Sequence, residues 1–185
     1  MPRVHVPEAH AHDPLGYVWT NYAAEISKAA AGYSLKVYET SKLSMREMEA
    51  ARMRTAQING CKLCLSLRAE RDLAGHVERS GGDVGMLAKR DNSAPDEAFY
   101  AEVANWKNSK VFSPREKLAI EYADRLGQAP QSMDEDEEFW ANMHQHFSDE
   151  EIVDMTLSIG SWMALGRFAH VLHLDGMCMM PGNAG

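Results

Sequence analysis

The 185 residues predict an all-α chain, on three observations. Strand-type alternation is almost absent. Apolar residues recur at helical spacing from end to end. Three capping boxes, Ser44-Met45-Arg46-Glu47, Ser113-Pro114-Arg115-Glu116 and Ser148-Asp149-Glu150-Glu151, mark helix starts in which the serine and the glutamate each satisfy a backbone N–H. The length fits one domain with a sizeable core, which we expect over residues 13–176, with its centre at about 40–125.

The elements follow in order. Residues 1–12 are expected to form a flexible arm and 177–185 a tail. Asp13-Pro14 supplies an N-cap and a first-turn proline, and a helix should run from Tyr17 to Ala31 and stop at Gly32. The Ser44 box opens a helix from Met45 to Asn59, stopped by Gly60. The next helix should reach Arg79, where Ser80-Gly81-Gly82 breaks it. A short helix over Val84 to Lys89, a turn through Asn92 and Ser93, and a helix from Pro95 to Asn108 come next. The Ser113 box opens a helix closed by Gly127, and Asp134 to Glu138 suit the first turn of another, where carboxylates complement the dipole. The Ser148 box starts a long apolar helix containing Ile152, Met155, Ile159, Trp162 and Phe168. The 12 methionines suit adaptable helix packing. Trp140, Trp162 and Tyr122 are expected in the core or at a subunit interface.

A formal net charge of −8 and the lack of a basic run argue against a nucleic-acid partner. No apolar run approaches the ~18 residues of a membrane span. Met1-Pro2-Arg3-Val4-His5 lacks a signal-peptide core, so a cytoplasmic chain is expected. Three cysteines are too few for a disulfide scaffold.

Two of them, in Cys61-Lys62-Leu63-Cys64, are the strongest chemical signal. Thiols three residues apart on a helix can close a small disulfide, and a cysteine in a first helical turn meets unsatisfied N–H groups and the positive dipole end, which favour thiolate. A zinc site would need two further ligands, and no second pair exists; Cys178 stands alone. A redox dithiol is therefore expected. Other metal readings are weaker. His5, His10 and His12 lie in the arm, His144 and His146 fall on different helix faces, and His170, His173 and Asp175 are explained by a helix C-terminus. Phosphate-loop, nucleophile-elbow and dinucleotide motifs are absent.

Glu49 shares a helical stripe with Met45 and Met53, so its carboxylate should be at least partly buried and is a candidate general base. A surface ion pair with Arg46 or Arg52 is the plainer alternative. Glu47, in the capping box, should be structural.

Glu49, twelve residues before Cys61, together with Arg54-Thr55-Ala56-Gln57-Ile58-Asn59-Gly60-Cys61-Lys62-Leu63-Cys64, resembles the core of the carboxymuconolactone decarboxylase superfamily in its AhpD-like alkylhydroperoxidase branch. Phe112 to Ala119 and Phe147 to Val153 are similar to further phrases of that superfamily. The resemblance covers roughly residues 40–175. It implies an AhpD-like helical domain assembled into homotrimers or hexamers. It also implies a cofactor-free and metal-free dithiol centre that reduces hydroperoxides or exchanges disulfides, recycled by an external thiol reductant. Cys61, Cys64 and Glu49 match the relay positions the resemblance implies, but Arg68 stands where the relay histidine is expected, four residues after Cys64. Arginine cannot shuttle protons near neutrality, though it could stabilise a thiolate one turn away or pair with Asp72. His76, twelve residues past Cys64 on one continuous helix, would lie too far along the axis to replace it. Helix-end electrostatics favours Cys61 as the attacking thiol, whereas the resemblance implies Cys64, with Cys61 resolving. Two other functions fit: a cofactor-free decarboxylase or lactone enzyme of the same superfamily, and a non-enzymatic redox sensor.

Overall fold

A computed structural model of the chain describes residues 1–87 and 93–176. Every regular element among them is helical, and no strand occurs among the described residues. Helix α1 spans Pro14–Asn21, with the Asp13 carboxylate accepting the Gly16 N–H at 2.9 Å. The chain then breaks at Tyr22 and Ala23, the latter at φ 48°, and α2 spans Ala24–Thr40. This differs from the expected single helix ending at Gly32. A mid-helix glycine costs only about 1 kcal/mol. Burying Val37 and Tyr38 in the turns beyond contributes more than that, so α2 runs through.

Helix α3 spans Met45–Asn59 and stops at Gly60, φ 67°, as its sequence predicts. The dithiol helix is shorter than expected. Helix α4 covers only Lys62–Ser66, extended backbone follows at Leu67 and Arg68, and a π-helical turn Ala69–Leu73 leads into α5, Ala74–Arg79. Two side chains account for the interruption. Arg52 of α3 takes the Cys64 and Leu67 carbonyls at 2.8 and 3.0 Å, and Asp72 accepts the Arg68 N–H at 2.8 Å. Both remove backbone groups from the helical ladder and satisfy them laterally.

Helix α6 spans Val84–Leu87, while Lys89 and Asn92 lie outside the described residues, as does Cys178. Helix α7, Glu97–Glu102, is capped by Asp96 and tightens into a 3-10 turn Val103–Asn105, shorter than the expected helix to Asn108. Helix α8 spans Pro114–Gln128 and contains Gly127 rather than ending at it. A Cβ at Gly127 would stand 3.1 Å from Ile58 and from Met163, so this glycine serves close packing. Helix α9, Glu137–His146, takes Asp136 as N-cap, leaving Asp134 and Glu135 ahead of its first turn. Helix α10, Asp149–Val171, completes the fold.

The buried helix α3 lies against both α8 and α10, and α2 covers α10. All three capping boxes form. Their glutamates are also cross-linked: Arg46 of α3 pairs with Glu116 at 2.6 Å, and Arg115 of α8 pairs with Glu47 and with Glu151, the latter at 2.7 Å. Tyr122 and Trp162 are buried, and Trp140 donates its indole N–H to the Met133 carbonyl at 2.8 Å. In the N-terminal residues the Arg3 N–H donates to Leu172 O, and the Tyr22 hydroxyl to His5 O. Among the described residues no helix is long and apolar enough to cross a membrane.

Candidate dithiol site

The left-handed turn at Gly60 redirects the chain so that Cys61 becomes the N-cap of α4. Its Sγ accepts the Cys64 N–H at 3.2 Å, and a disulfide joins the two residues, whose Cα atoms are 5.3 Å apart. The two sulfurs are not equivalent: Cys61 is fully buried, 0% exposed, whereas Cys64 is partly exposed and lines a cavity. The start of α4 is fixed by the segment just after α10, where Asp175 accepts the Lys62 N–H at 3.0 Å and pairs with Nδ1 of His170, in the last turn of α10, at 3.1 Å. Burial works against the Asp175 carboxylate, but the bonds from Lys62 and His170 prevail and hold it below the usual range. His170 and Asp175 thus meet each other, and among the described residues no three His, Cys, Asp or Glu side chains gather as a metal set.

Glu49 is 2% exposed and its partner is Arg52, through a bidentate bond of 2.7 Å on each arm. The ion pair weighed for this residue forms, but in the interior. Tyr100 donates its hydroxyl to the same carboxylate at 2.7 Å. Burial, then the charge of Glu49, pushes the Tyr100 phenol above its ordinary value, so it stays a donor. Burial opposes the charge on Arg52, yet Glu49 outweighs it and the guanidinium is held above its ordinary value. Arg46, the other candidate partner of Glu49, is engaged with Glu116 instead.

Arg68 is not one helical turn from Cys64, because the helix has ended by then. Its guanidinium stacks 4.5 Å from the centre of the Tyr100 ring, pairs with Glu97 at 2.8 Å and donates to the Leu65 and Leu67 carbonyls. Asp72 is bonded to its backbone N–H rather than to its side chain.

A cavity of about 410 Å³ opens beside the dithiol, with Cys64, Glu49, Arg52, Arg68 and His76 on its wall and Trp19 of α1 among the residues that close it. His76 lines the same cavity from α5, beyond the point where the expected continuous helix is interrupted. The continuous helix on which the expected axial separation rested ends at Ser66, and α5 follows only after extended backbone at Leu67 and Arg68 and a π-helical turn. The His76 ring meets Tyr38 edge-on at 5.5 Å, and burial, with a smaller contribution from Arg79, pulls its pKa below the ordinary value. Cys64, Glu49 and Arg68 thus all line one cavity, and the buried Cys61 is bonded to Cys64. The structure adds Arg52, Tyr100 and His76. Arg52 was legible at the i+3 position from Glu49, whereas Tyr100 and His76 carry no local signal.

No family model matches the chain. It is 26% identical over 139 residues to the uncharacterised protein YnjA of Escherichia coli, covering 74% of this chain and 64% of that protein's length. It is 24% identical over 130 residues to the uncharacterised protein YdfG of Bacillus subtilis, covering 69% of this chain and 76% of the relative. The chain thus spans somewhat less than two thirds of the length of the Escherichia coli relative. Among solved structures it is similar to a protein of unknown function from Agrobacterium tumefaciens, a candidate AhpD antioxidant defence protein. The TM-score is 0.59 at 21% identity, over 86% of this chain and 94% of that one. The helical architecture and this structural neighbour together give the chain an AhpD-like all-α fold.

Proposed function

We propose that the chain is a thiol-dependent peroxidase of alkylhydroperoxidase type, in which Cys64 meets the hydroperoxide and Cys61 resolves it. The observation that carries this reading is the asymmetry of the pair: Cys64 lines an apolar cavity and Cys61, bonded to it, is sealed from solvent. In the reduced protein the Cys64 thiolate attacks the terminal oxygen of the hydroperoxide. The O–O bond breaks, the leaving alkoxide takes a proton and departs as the alcohol, and Cys64 becomes a sulfenic acid. The Cys61 thiol then displaces hydroxide from that sulfur, giving the disulfide and water. An external dithiol reopens the bond and is itself oxidised to a disulfide.

Each wall residue has a part in this scheme. His76, kept neutral near pH 7 by burial, accepts the proton of the attacking thiol and returns it to the alkoxide, in the place that Arg68 leaves vacant. Glu49 acts through Arg52, which holds the Cys64 and Leu67 carbonyls, and is a positioning residue. Arg68 braces Tyr100, the second donor to Glu49. The scheme uses no metal or prosthetic group. A cytoplasmic setting, where thiol reductants abound, suits the recycling step. Assembly into a homotrimer or hexamer belongs to the same reading, and exposed Ile26 of α2 and Val153 and Leu157 of α10 are apolar side chains that a subunit contact would cover.

Stopped-flow oxidation of the fully reduced protein by cumene hydroperoxide tests the proposal, with mass spectrometry to locate the product. Rapid formation of a Cys61–Cys64 disulfide is expected. Reaction no faster than that of an unactivated thiol would rule the activity out, and a decarboxylase activity that survived in the Cys61→Ser, Cys64→Ser variant would point to decarboxylase chemistry instead.

A further inference from the structure

Helix α4, Lys62–Ser66, is too short to hold its own shape in water, so the geometry of the dithiol is imposed from outside it. Its two ends are held by different parts of the chain. At the Cys64 end, Arg52 of α3 takes the Cys64 and Leu67 carbonyls. At the Cys61 end the contacts come from α10 and the segment after it. Asn59 donates its amide to the Trp162 carbonyl at 3.0 Å, the His170 ring stands 3.3 Å from where a Cβ on Gly60 would be, and Asp175 accepts the Lys62 N–H at 3.0 Å. Residues on both sides of Cys61 are therefore held by one stretch of chain.

A costly turn brings Asp175 to this position. His173 adopts φ 54°, a left-handed conformation that costs a residue with a Cβ on the order of 1 kcal/mol. Within the turn the His173 N–H donates to His170 O at 2.9 Å and the Leu174 N–H to Ala169 O at 2.8 Å, and Leu174 is fully buried. Asp175 follows, itself buried, with His170 Nδ1 as its second partner at 3.1 Å. Its carboxylate takes the first N–H of α4, while Cys61 Sγ, a weak acceptor, takes the Cys64 N–H. The stronger bond at the helix start is the charge-assisted one from Asp175.

We infer that Asp175, steadied by His170, is a positioning residue for the closing step, holding Cys61 where its thiol meets the sulfur of an oxidised Cys64. Closure is an intramolecular attack whose rate depends on how tightly the backbone at Cys61 is placed. The earlier attack by Cys64 on its substrate makes no such demand on Cys61. The inference rests on the reading of Cys64 as the attacking and Cys61 as the resolving thiol, but it does not require the substrate to be a peroxide.

The test therefore uses a small disulfide, dithiodipyridine, on the reduced full-length chain in a Cys178→Ser background, which leaves the two thiols of the pair as the only ones. The Cys64 thiolate attacks the reagent, forming a mixed disulfide and releasing one thiopyridone. The Cys61 thiol then attacks the Cys64 sulfur, forming the Cys61–Cys64 disulfide and releasing the second thiopyridone, which carries away the proton. Both releases are followed by absorbance in stopped flow. Asp175→Ala should slow the second release about tenfold, as the loss of one charged hydrogen bond allows, while the first keeps its rate. Asp175→Asn, which retains an oxygen for the Lys62 N–H, should slow the second release by a smaller factor. A second release as fast in Asp175→Ala as in the unaltered chain would overturn the inference. So would equal slowing of both releases, as a general loosening of the fold would give, or a first mixed disulfide located on Cys61 by mass spectrometry. Should Asp175→Ala fail to fold, Asp175→Asn decides by the same comparison. If cumene hydroperoxide failed to react while closure still depended on Asp175, the peroxidase activity would be removed and the positioning role would remain.

Discussion

The Arg52 guanidinium holds the Cys64 carbonyl at 2.8 Å, so a side chain of α3 fixes the end of the dithiol helix. The same guanidinium is gripped by Glu49, and Glu49 by Tyr100. The carboxylate therefore reaches the dithiol through a chain of hydrogen bonds, and its burial is compensated by Arg52 and Tyr100.

Breaking that pair from one side should be costly. Arg52→Met leaves Glu49 buried with a single neutral donor, and destabilisation of about 3–5 kcal/mol is expected in urea unfolding. Glu49→Gln should cost a similar amount by stranding the guanidinium, and the double variant should cost clearly less than the sum of the two. Additive effects would show that the pair is not coupled.

The unequal burial of the two sulfurs gives the single cysteine variants opposite phenotypes. Cys61→Ser should still react with cumene hydroperoxide and stop at a Cys64 sulfenic acid, captured by dimedone as one adduct per chain. Cys64→Ser should react no faster than an ordinary buried thiol and yield no adduct. The reverse pattern would make Cys61 the attacking group, as the helix-end argument alone would have it.

Local signals in the sequence sufficed for much of this site. Ser44, Ser113 and Ser148 start their helices as their capping boxes predict, and Gly60 stops α3 and delivers Cys61 to the next helix. What escaped the sequence depends on contacts from elsewhere in the chain. The helix after Cys64 ends early because Arg52, on another helix, takes its carbonyls, and His76 lines the cavity from the separate helix that follows. Tyr100, 51 residues from Glu49, has no local pattern to announce it. The burial of Glu49 was legible from its stripe, but the completeness of its hydrogen bonding was not.

His76 should leave a trace in the pH dependence of stability. Burial lowers its folded-state pKa beneath an unfolded value of roughly 6.5, so between the two values the unfolded chain binds more protons. Stability then rises with pH through that window and is lost as pH falls from about 6.5 toward the folded value. His76→Gln should flatten this segment of a plot of urea midpoint against pH between 5 and 8. An unchanged slope would mean that His76 titrates alike in both states.

Glycine substitutions separate the two uses of this residue in the helices. Gly32 lies inside α2 with nothing within 4 Å of an added Cβ, so Gly32→Ala should stabilise by about 0.5–1 kcal/mol through reduced unfolded-chain entropy. Gly166, in α10, is the opposite case, because a Cβ there would stand 2.4 Å from Asn59 Nδ2. The amide would have to leave its bond to the Trp162 carbonyl, and a loss of about 1–3 kcal/mol follows for a buried donor left unmet. For a chain of this length each kcal/mol corresponds to about 2–4 °C, so Tm should rise for Gly32→Ala and fall for Gly166→Ala. If both variants melted above the unaltered protein, Asn59 would have room to move without loss of its bond to the Trp162 carbonyl.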